Sequence, residues 1–363
     1  NKEPLIFDTT RNNPDSTIVP AAYERFPDAV REILKKDCFK KFLRQSPVGL
    51  PSLSELEVIR HYTRLGQMNF SVDANFYPLG SCTMKYNPRI NEDAANQENF
   101  QYLHPLQDET DCQGMLGMIH DCEKMICRLT GMYRCSFQAS AGAHGELTGM
   151  LMVRKYFQDR KETGRTKIIV PDSSHGTNPA SAAMCGFSIV KITSTPEGLV
   201  DLQKLREAMD EQTAGIMLTN PNTLGLFEKD ILAIRDIVHA KGGLLYYDGA
   251  NFNALIGLVT PADMGFDVIH LNLHKTFSTP HGGGGPGAAA VGVSKTLAPY
   301  LPVPLIEKDE KGRYYLDDCL PKSIGKIRSF YGNIPVVVKA YAYLLRLGNG
   351  IKNVAQYSVL NAN

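Results

Sequence analysis

Residues 267–293 read DVIHLNLHKTFSTPHGGGGPGAAAVGV. The run opens with Val268, Ile269, Leu271 and Leu273, an apolar sequence that predicts a buried strand. That strand delivers His274 and Lys275 to a turn containing Thr276, Ser278 and Thr279, followed by Pro280, His281 and Gly282 to Gly285. A second small apolar run, Ala288 to Val293, predicts a return strand. A lysine at a strand end, followed by hydroxyls and a glycine loop, suits an aldehyde cofactor held as a Schiff base, because glycine lets the backbone approach a ligand closely. The competing reading is a surface lysine before a flexible hairpin, and the rest of the chain has to decide between them.

Working outward, the same texture recurs. Helical spacing of Met115, Ile119, Cys122, Ile126 and Leu129 ends at Gly131. A strand through Cys135 to Gln138 leads into Ser140-Ala141-Gly142-Ala143-His144-Gly145-Glu146, and a helical pattern follows. Strand, small-residue turn and helix offer free backbone N–H groups to an anion. There is no GK[ST] Walker loop and no GxGxxG. Strand 167–171 ends at a polar cluster with His175 and Thr177, strand 214–218 at Thr219 and Asn220, and strand 244–247 at Asp248, Gly249, Ala250 and Asn251. This alternation predicts an α/β fold with a mostly parallel central sheet and helices on both faces. The polar groups Ser140, His175, Asn220, Asp248 and Lys275 each follow a strand, and ligands of open α/β sheets bind at those ends. Five loops would share one crevice.

Pyridoxal phosphate (PLP) makes four demands such a crevice meets. Lys275 supplies the amine. Asp248 supplies a carboxylate for the pyridine nitrogen, which keeps the ring an electron sink. His175 supplies a flat face. Ser140, Ala141, Gly142, Ala143, Ser278 and Thr279 supply a phosphate cradle, with Thr177 beside His175. Asn251 is placed to donate to the ring oxygen, and His274 or Lys275 to move protons. Each has a plainer reading: His175 bonded to its own turn, Asp248 as a helix cap. His270 and His274 are four apart as in a zinc helix, but at a strand end that spacing does not converge, so no metal site is expected.

The chain has 363 residues, 43% apolar and 21% charged, with formal net charge +1. That balance makes no electrostatic case for nucleic acid or an anionic membrane. No apolar run is long enough to span a bilayer, and the polar start carries no secretory core. Eight scattered cysteines fit reduced cytoplasmic thiols. Cys82 reads as a small buried hydrophobe. Three segments are expected: an N-terminal arm over 1–94, a large cofactor-binding domain over 95–300, and the start of a small C-terminal domain over 301–363. The arm carries apolar patches (Phe39, Phe42 and Leu43; Leu56, Ile59 and Tyr62; Phe76 and Tyr77) without an evident core, as expected of a segment that packs on a partner.

The motifs LNLHKTFSTPHGGGGPG, YYDGAN, PDSSHGTNPASAAM, LTNPNTLGLFE, SAGAHGELTG and FYPLGSCTMKYNP closely resemble the P-proteins of the glycine cleavage system, glycine dehydrogenases (decarboxylating), in their subunit 2 form. The resemblance runs nearly from end to end. It implies the aspartate-aminotransferase-like PLP fold, Lys275 as the Schiff-base lysine, Asp248 as partner of the ring nitrogen and His175 stacked on the ring. It further implies glycine as substrate, decarboxylation with aminomethyl transfer to the lipoyl arm of H-protein, and a cofactor-free subunit 1 with two copies of each subunit. GPGAAAVGV and FQASAGAHGE depart slightly from the family's usual GPGAGPVGV and LQPAAGAHGE, and neither departure removes a proposed catalytic group. The family chain continues past VLNAN, so the small C-terminal domain is expected to be short here.

Overall fold

The computed structural model describes residues 3–9, 28, 32–33, 35–42, 44, 46, 49–51, 53–71, 73–75, 86–280 and 287–363. Phe76, Tyr77, Cys82 and the glycine loop from His281 to Gly285 lie outside the described residues, as does Leu43. The chain forms two compact units, Asn1–Tyr77 and Pro78–Asn363.

In the first unit, helix α1 spans Asp37–Lys40 and helix α2 spans Glu55–Gln67. The second starts at a capping box: Ser54 Oγ accepts from the Glu57 backbone N–H while the Glu57 carboxylate accepts from the Ser54 N–H. The Glu3 carboxylate is held by Arg64, at 2.6 and 2.8 Å, and by His61. Leu56, Ile59 and Tyr62 are exposed on this helix, as are Phe39 and Phe42 near α1.

The second unit opens with α3 (Arg89–Ala95), α4 (Glu98–Gln101) and α5 (Gln113–Thr130). Gly131 closes α5 in the left-handed conformation, φ 72°, which residues with a Cβ rarely adopt. A seven-stranded sheet follows: β1 (Arg134–Ser136), β2 (Lys167–Pro171), β3 (Ser188–Ile192), β4 (Thr213–Thr219), β5 (Leu244–Asp248), β6 (Val268–Asn272) and β7 (Ala289–Val293), in the order β1-β7-β6-β5-β4-β2-β3. Pairings from β3 to β6 are parallel, while β7 runs antiparallel to both β6 and β1. The sheet is therefore mostly parallel, and β7 is the return strand expected from Ala288 to Val293.

Helices α6 (Gly142–Asp159), α7 (Thr177–Met184), α8 (Leu202–Ala208) and α9 (Ile231–Ala240) fill the connections. Strand residues alternate between two cores. Met217, Tyr246, Val268 and Val291 join Met150 and Val153 of α6. Leu218, Leu245, Tyr247 and Ile269 join Ile126 of α5 and Ile234 of α9. Alternation at period two puts consecutive side chains on opposite faces, so a strand buried on both reads as a nearly continuous apolar run. Gly149 lets α6 lie close to the sheet, since a Cβ there would fall 2.4 Å from the Tyr246 ring.

After β7 come a hairpin, β8 (Leu305–Lys308) with β9 (Tyr314–Asp317), and two helices, α11 (Ile334–Leu347) and α12 (Lys352–Ala362); the short α10 is described with the site. Helix α11 packs on α3, and Lys339 pairs with Glu92 at 2.7 Å. The hairpin turn holds the charged stretch Lys308 to Gly312. Among the described residues no helix is long and apolar enough to cross a membrane, and the cysteines are unpaired.

Candidate active site

The parallel register sets Thr219 against Asp248, and Asp248 against His270, across β4, β5 and β6. Residues in register share a face, so three polar side chains form a row at the carboxyl ends of adjacent strands. Asp248 is buried, and its carboxylate accepts two hydrogen bonds and lies close to a ring nitrogen. Thr219 Oγ1 donates to Oδ2 at 3.2 Å, and the Ala250 N–H donates to Oδ1 at 3.0 Å. His270 Nε2 lies 3.3 Å from the same Oδ1. The Ala250 bond also makes Asp248 the cap of the 3-10 turn Gly249–Ala254, so the cap reading and the site reading hold together.

His270 is buried, and its Nδ1 lies 2.7 Å from the Tyr246 hydroxyl. Burial pushes the Tyr246 phenol well above its ordinary range, so the hydroxyl keeps its proton and donates it to Nδ1. Burial also lowers the basicity of His270, against the pull of Asp248 and with the push of Lys275. A neutral ring that accepts at Nδ1 carries its proton on Nε2, the nitrogen that faces Asp248. Sequence reasoning considered His270 only as half of a zinc pair. The signal that could have found it is a lone polar residue inside the apolar strand VIHLN, one strand from an acid.

Lys275 is not in a turn. β6 ends at Asn272 and runs directly into α10 (Leu273–Thr276), a single helical turn. That turn arises because Phe277 N–H bonds back to Leu273 O while both apolar residues are fully buried. Lys275 is half-buried, and among the described residues no side chain accepts from its Nζ. His274 is buried, and a Cβ on Gly287 would fall 3.4 Å from its Nδ1.

The expected phosphate cradle divides. Helix α6 starts after Ala141 with no side-chain cap, leaving its first N–H groups without a side-chain acceptor. A Cβ at Gly142 would lie 2.5 Å from Asn272 Oδ1, so this glycine keeps the helix start against the end of β6. Ser140 is committed locally, with both N and Oγ directed at His144 Nδ1, at 3.2 and 3.0 Å. Ser278 adopts φ 54° and donates its hydroxyl to the Tyr86 carbonyl, a partner not foreseen. Thr279 is fully buried, and among the described residues neither its Oγ1 nor the buried Asn272 Oδ1 has a hydrogen-bond partner. Asn251 Nδ2 donates to the carbonyls of Pro221 and Asn222, at 3.1 and 3.4 Å.

His175 is exposed and bonds within its own turn, with Nδ1 2.8 Å from Thr177 Oγ1. Thr177 in turn donates to Glu146 Oε1 at 2.8 Å, and Ser181 to Oε2 at 3.2 Å. Glu146 is a site residue that sequence reasoning missed. It sits one turn into α6, buried, and its pKa is pushed up to about 7 by burial first and by the Asp248 charge second, against its two hydroxyl donors and Lys275. A carboxyl with a raised folded-state pKa is penalised when ionised. The folded chain should therefore lose stability as pH rises from about 4.5 through about 7, on the order of 3 kcal/mol from this group. Urea denaturation of the wild type and Glu146→Gln across that window checks this: the wild type should lose stability relative to the variant. A constant difference would refute it.

At the carboxyl edge of the sheet Glu146 bonds to Thr177 and Thr177 to His175, and the charges of Asp248 and Lys275 both act on Glu146 and His270. Residues 24–317 match the model of the family described as glycine cleavage system P-protein. The chain is 54% identical over 361 residues to a probable glycine dehydrogenase (decarboxylating) subunit 2 of Caldanaerobacter subterraneus subsp. tengcongensis, covering 99% of this chain and 73% of that one. It is 55% identical over 363 residues to the protein of the same description in Thermococcus onnurineus, covering 99% and 71%. A crystal structure of glycine decarboxylase (P-protein) of the glycine cleavage system, in inhibitor-bound form, superposes with a TM-score of 0.72 at 21% identity, over 94% of this chain and 78% of that one. A NifS-like protein superposes with a TM-score of 0.57 at 16% identity, over 76% and 70%. The fold is that of the aminotransferase-like PLP enzymes.

Proposed function

The chain belongs to the glycine cleavage system P-protein family, and from that premise we propose that it is the PLP-carrying subunit that decarboxylates glycine and passes the aminomethyl group to a lipoyl arm. The observation that carries this reading is Asp248, a buried carboxylate held by two hydrogen bonds and faced by the His270 ring, one strand from Lys275. The residues present fit the cofactor. The uncapped start of α6 and the Thr279 hydroxyl, which has no partner among the described residues, suit a phosphate, and the Asp248 carboxylate suits a protonated pyridine nitrogen.

When bound, PLP supplies the electron sink that lets the bond to the glycine carboxylate break. The protein does the rest. Asp248, kept in place by Thr219, Ala250 and His270, holds a proton on the pyridine nitrogen. Lys275 would tether the cofactor through its amine, and that amine is a candidate base at the site. His274, buried beside it, is the second candidate for proton movement. The first amides of α6 bind the phosphate, with Ala141, Gly142 and Ala143 contributing backbone only. His175 covers one face of the ring and keeps water from it.

Aminomethyl transfer needs an acceptor, and lipoylated H-protein is the co-substrate that the P-protein family membership supports. Subunit 1 is the structural partner, in a heterotetramer with two copies of each subunit, and the assembly works in the cytoplasm. The test is release of labelled CO2 from carboxyl-labelled glycine with subunit 1 and H-protein omitted in turn. Activity should be negligible without either. Full turnover from this chain alone would sink the proposal.

His175 gives a second check. A stacked ring contributes roughly 1 kcal/mol, so His175→Ala should weaken PLP binding about 5-fold, measured by cofactor fluorescence titration. His175→Phe should recover most of that loss. Equal loss in both variants would point to a hydrogen-bonding role for His175.

A further inference from the structure

Glu146, Thr177 and His175 form a continuous chain of hydrogen-bonding groups, with Thr177 Oγ1 2.8 Å from both its neighbours. A hydroxyl carries one proton and can serve only one of them as donor. When Glu146 is ionised, Thr177 must donate to Oε1, and its oxygen then faces His175 Nδ1 as an acceptor. The neutral imidazole is then favoured with its proton on Nδ1 and with Nε2 free to accept. When Glu146 holds a proton or is replaced by a donor, the hydroxyl turns to Nδ1, and the ring proton sits on Nε2. The Thr177 backbone N–H, 3.3 Å from Nδ1, favours this second arrangement, so the two states are held in competition and the acid decides between them.

We propose that Glu146, acting through the Thr177 hydroxyl, sets which ring nitrogen of His175 carries the proton, and is thereby a positioning residue for the active site. The proposal rests on the reading of His175 as the group that faces the cofactor. Its placement supports the role. Glu146 is buried where α6 meets α7, with Ser181 fixing the other carboxylate oxygen at 3.2 Å. From the sheet side it faces the charges of Asp248 and Lys275 and the Tyr246 phenol. Its proton affinity therefore responds to any charge placed next to Asp248. The state of the crevice would reach His175 without direct contact.

The experiment uses the full chain labelled with 15N in histidine, free of cofactor, at about pH 8, above the range where Glu146 titrates. Two-bond N–H correlation spectra report the protonated nitrogen of each ring, and His175→Gln identifies the His175 signals. The wild type should show Nδ1 protonated. Glu146→Gln should shift the population several-fold toward Nε2–H. Thr177→Val, which removes the hydroxyl at constant shape, should also move the ratio from the wild-type value, and Thr177→Ser should restore it. If Glu146→Gln does not fold, the Val and Ser pair at Thr177 still decides. A wild-type tautomer ratio in Thr177→Val would overturn the proposal. Failure of the wider reading is seen separately: unchanged PLP affinity in His175→Ala would remove the role of His175 and leave the tautomer result standing.

Discussion

Replacing Lys275 by alanine is expected to abolish covalent capture of PLP and to lower glycine decarboxylation by more than about 1,000-fold, the scale on which loss of a covalent catalytic group is felt. The expectation follows from position. Lys275 stands on a single helical turn placed directly after β6, with Leu273 and Phe277 fully buried on either side of it in sequence. That anchorage holds the backbone while the half-buried side chain remains without an acceptor among the described residues. Borohydride reduction of the wild type with PLP, followed by peptide mapping, should place the pyridoxyl group on Lys275. Its appearance on another lysine, with Lys275→Ala still reducible, would show that the amine lies elsewhere.

The second large effect is expected at Asp248. Asp248→Asn keeps the shape of the side chain: with its oxygen at the Oδ1 position it still accepts from the Ala250 N–H, and its amide nitrogen at the Oδ2 position can donate to the Thr219 hydroxyl, so the fold should persist. What it loses is the negative charge opposite the pyridine nitrogen. Decarboxylation should fall by about 100- to 1,000-fold, as when a preorganised electrostatic group is removed, while PLP affinity changes by less than about 10-fold. His270 makes the comparison sharper. Its neutral ring carries its proton on Nε2 because Tyr246 holds Nδ1, so an amide nitrogen turned toward it would meet a donor. The carboxylate fits this pocket and the amide only in one orientation. Near-normal turnover in Asp248→Asn with cofactor bound would mean that Asp248 is a structural cap and nothing more.

Much of this protein can be read in its residues because the readable features are local. Strand runs with both faces apolar, helix spacings from Met115 to Leu129, and Gly131 at a left-handed helix end depend on neighbours a few positions away. The same holds for the alternation of strands and helices, which is why a mostly parallel sheet was legible. The motifs around Lys275 and Asp248 named the family for the same reason. What the sequence did not determine depends on pairings between distant segments. The register that lines up Thr219, Asp248 and His270 exists only once β4, β5 and β6 are adjacent, and no spacing along the chain encodes it. The direction of the Asn251 amide likewise depends on the carbonyls of Pro221 and Asn222, some thirty residues away in the chain. Ser278 spends its proton on Tyr86, from a segment far upstream. Glu146 is the clearest case. Its neighbours in sequence make it an ordinary helix-start glutamate, and only the burial created where α6, α7 and β5 close on one another raises its proton affinity to a value near neutrality. Desolvation is a property of the packed interior, and it belongs to the tertiary structure alone.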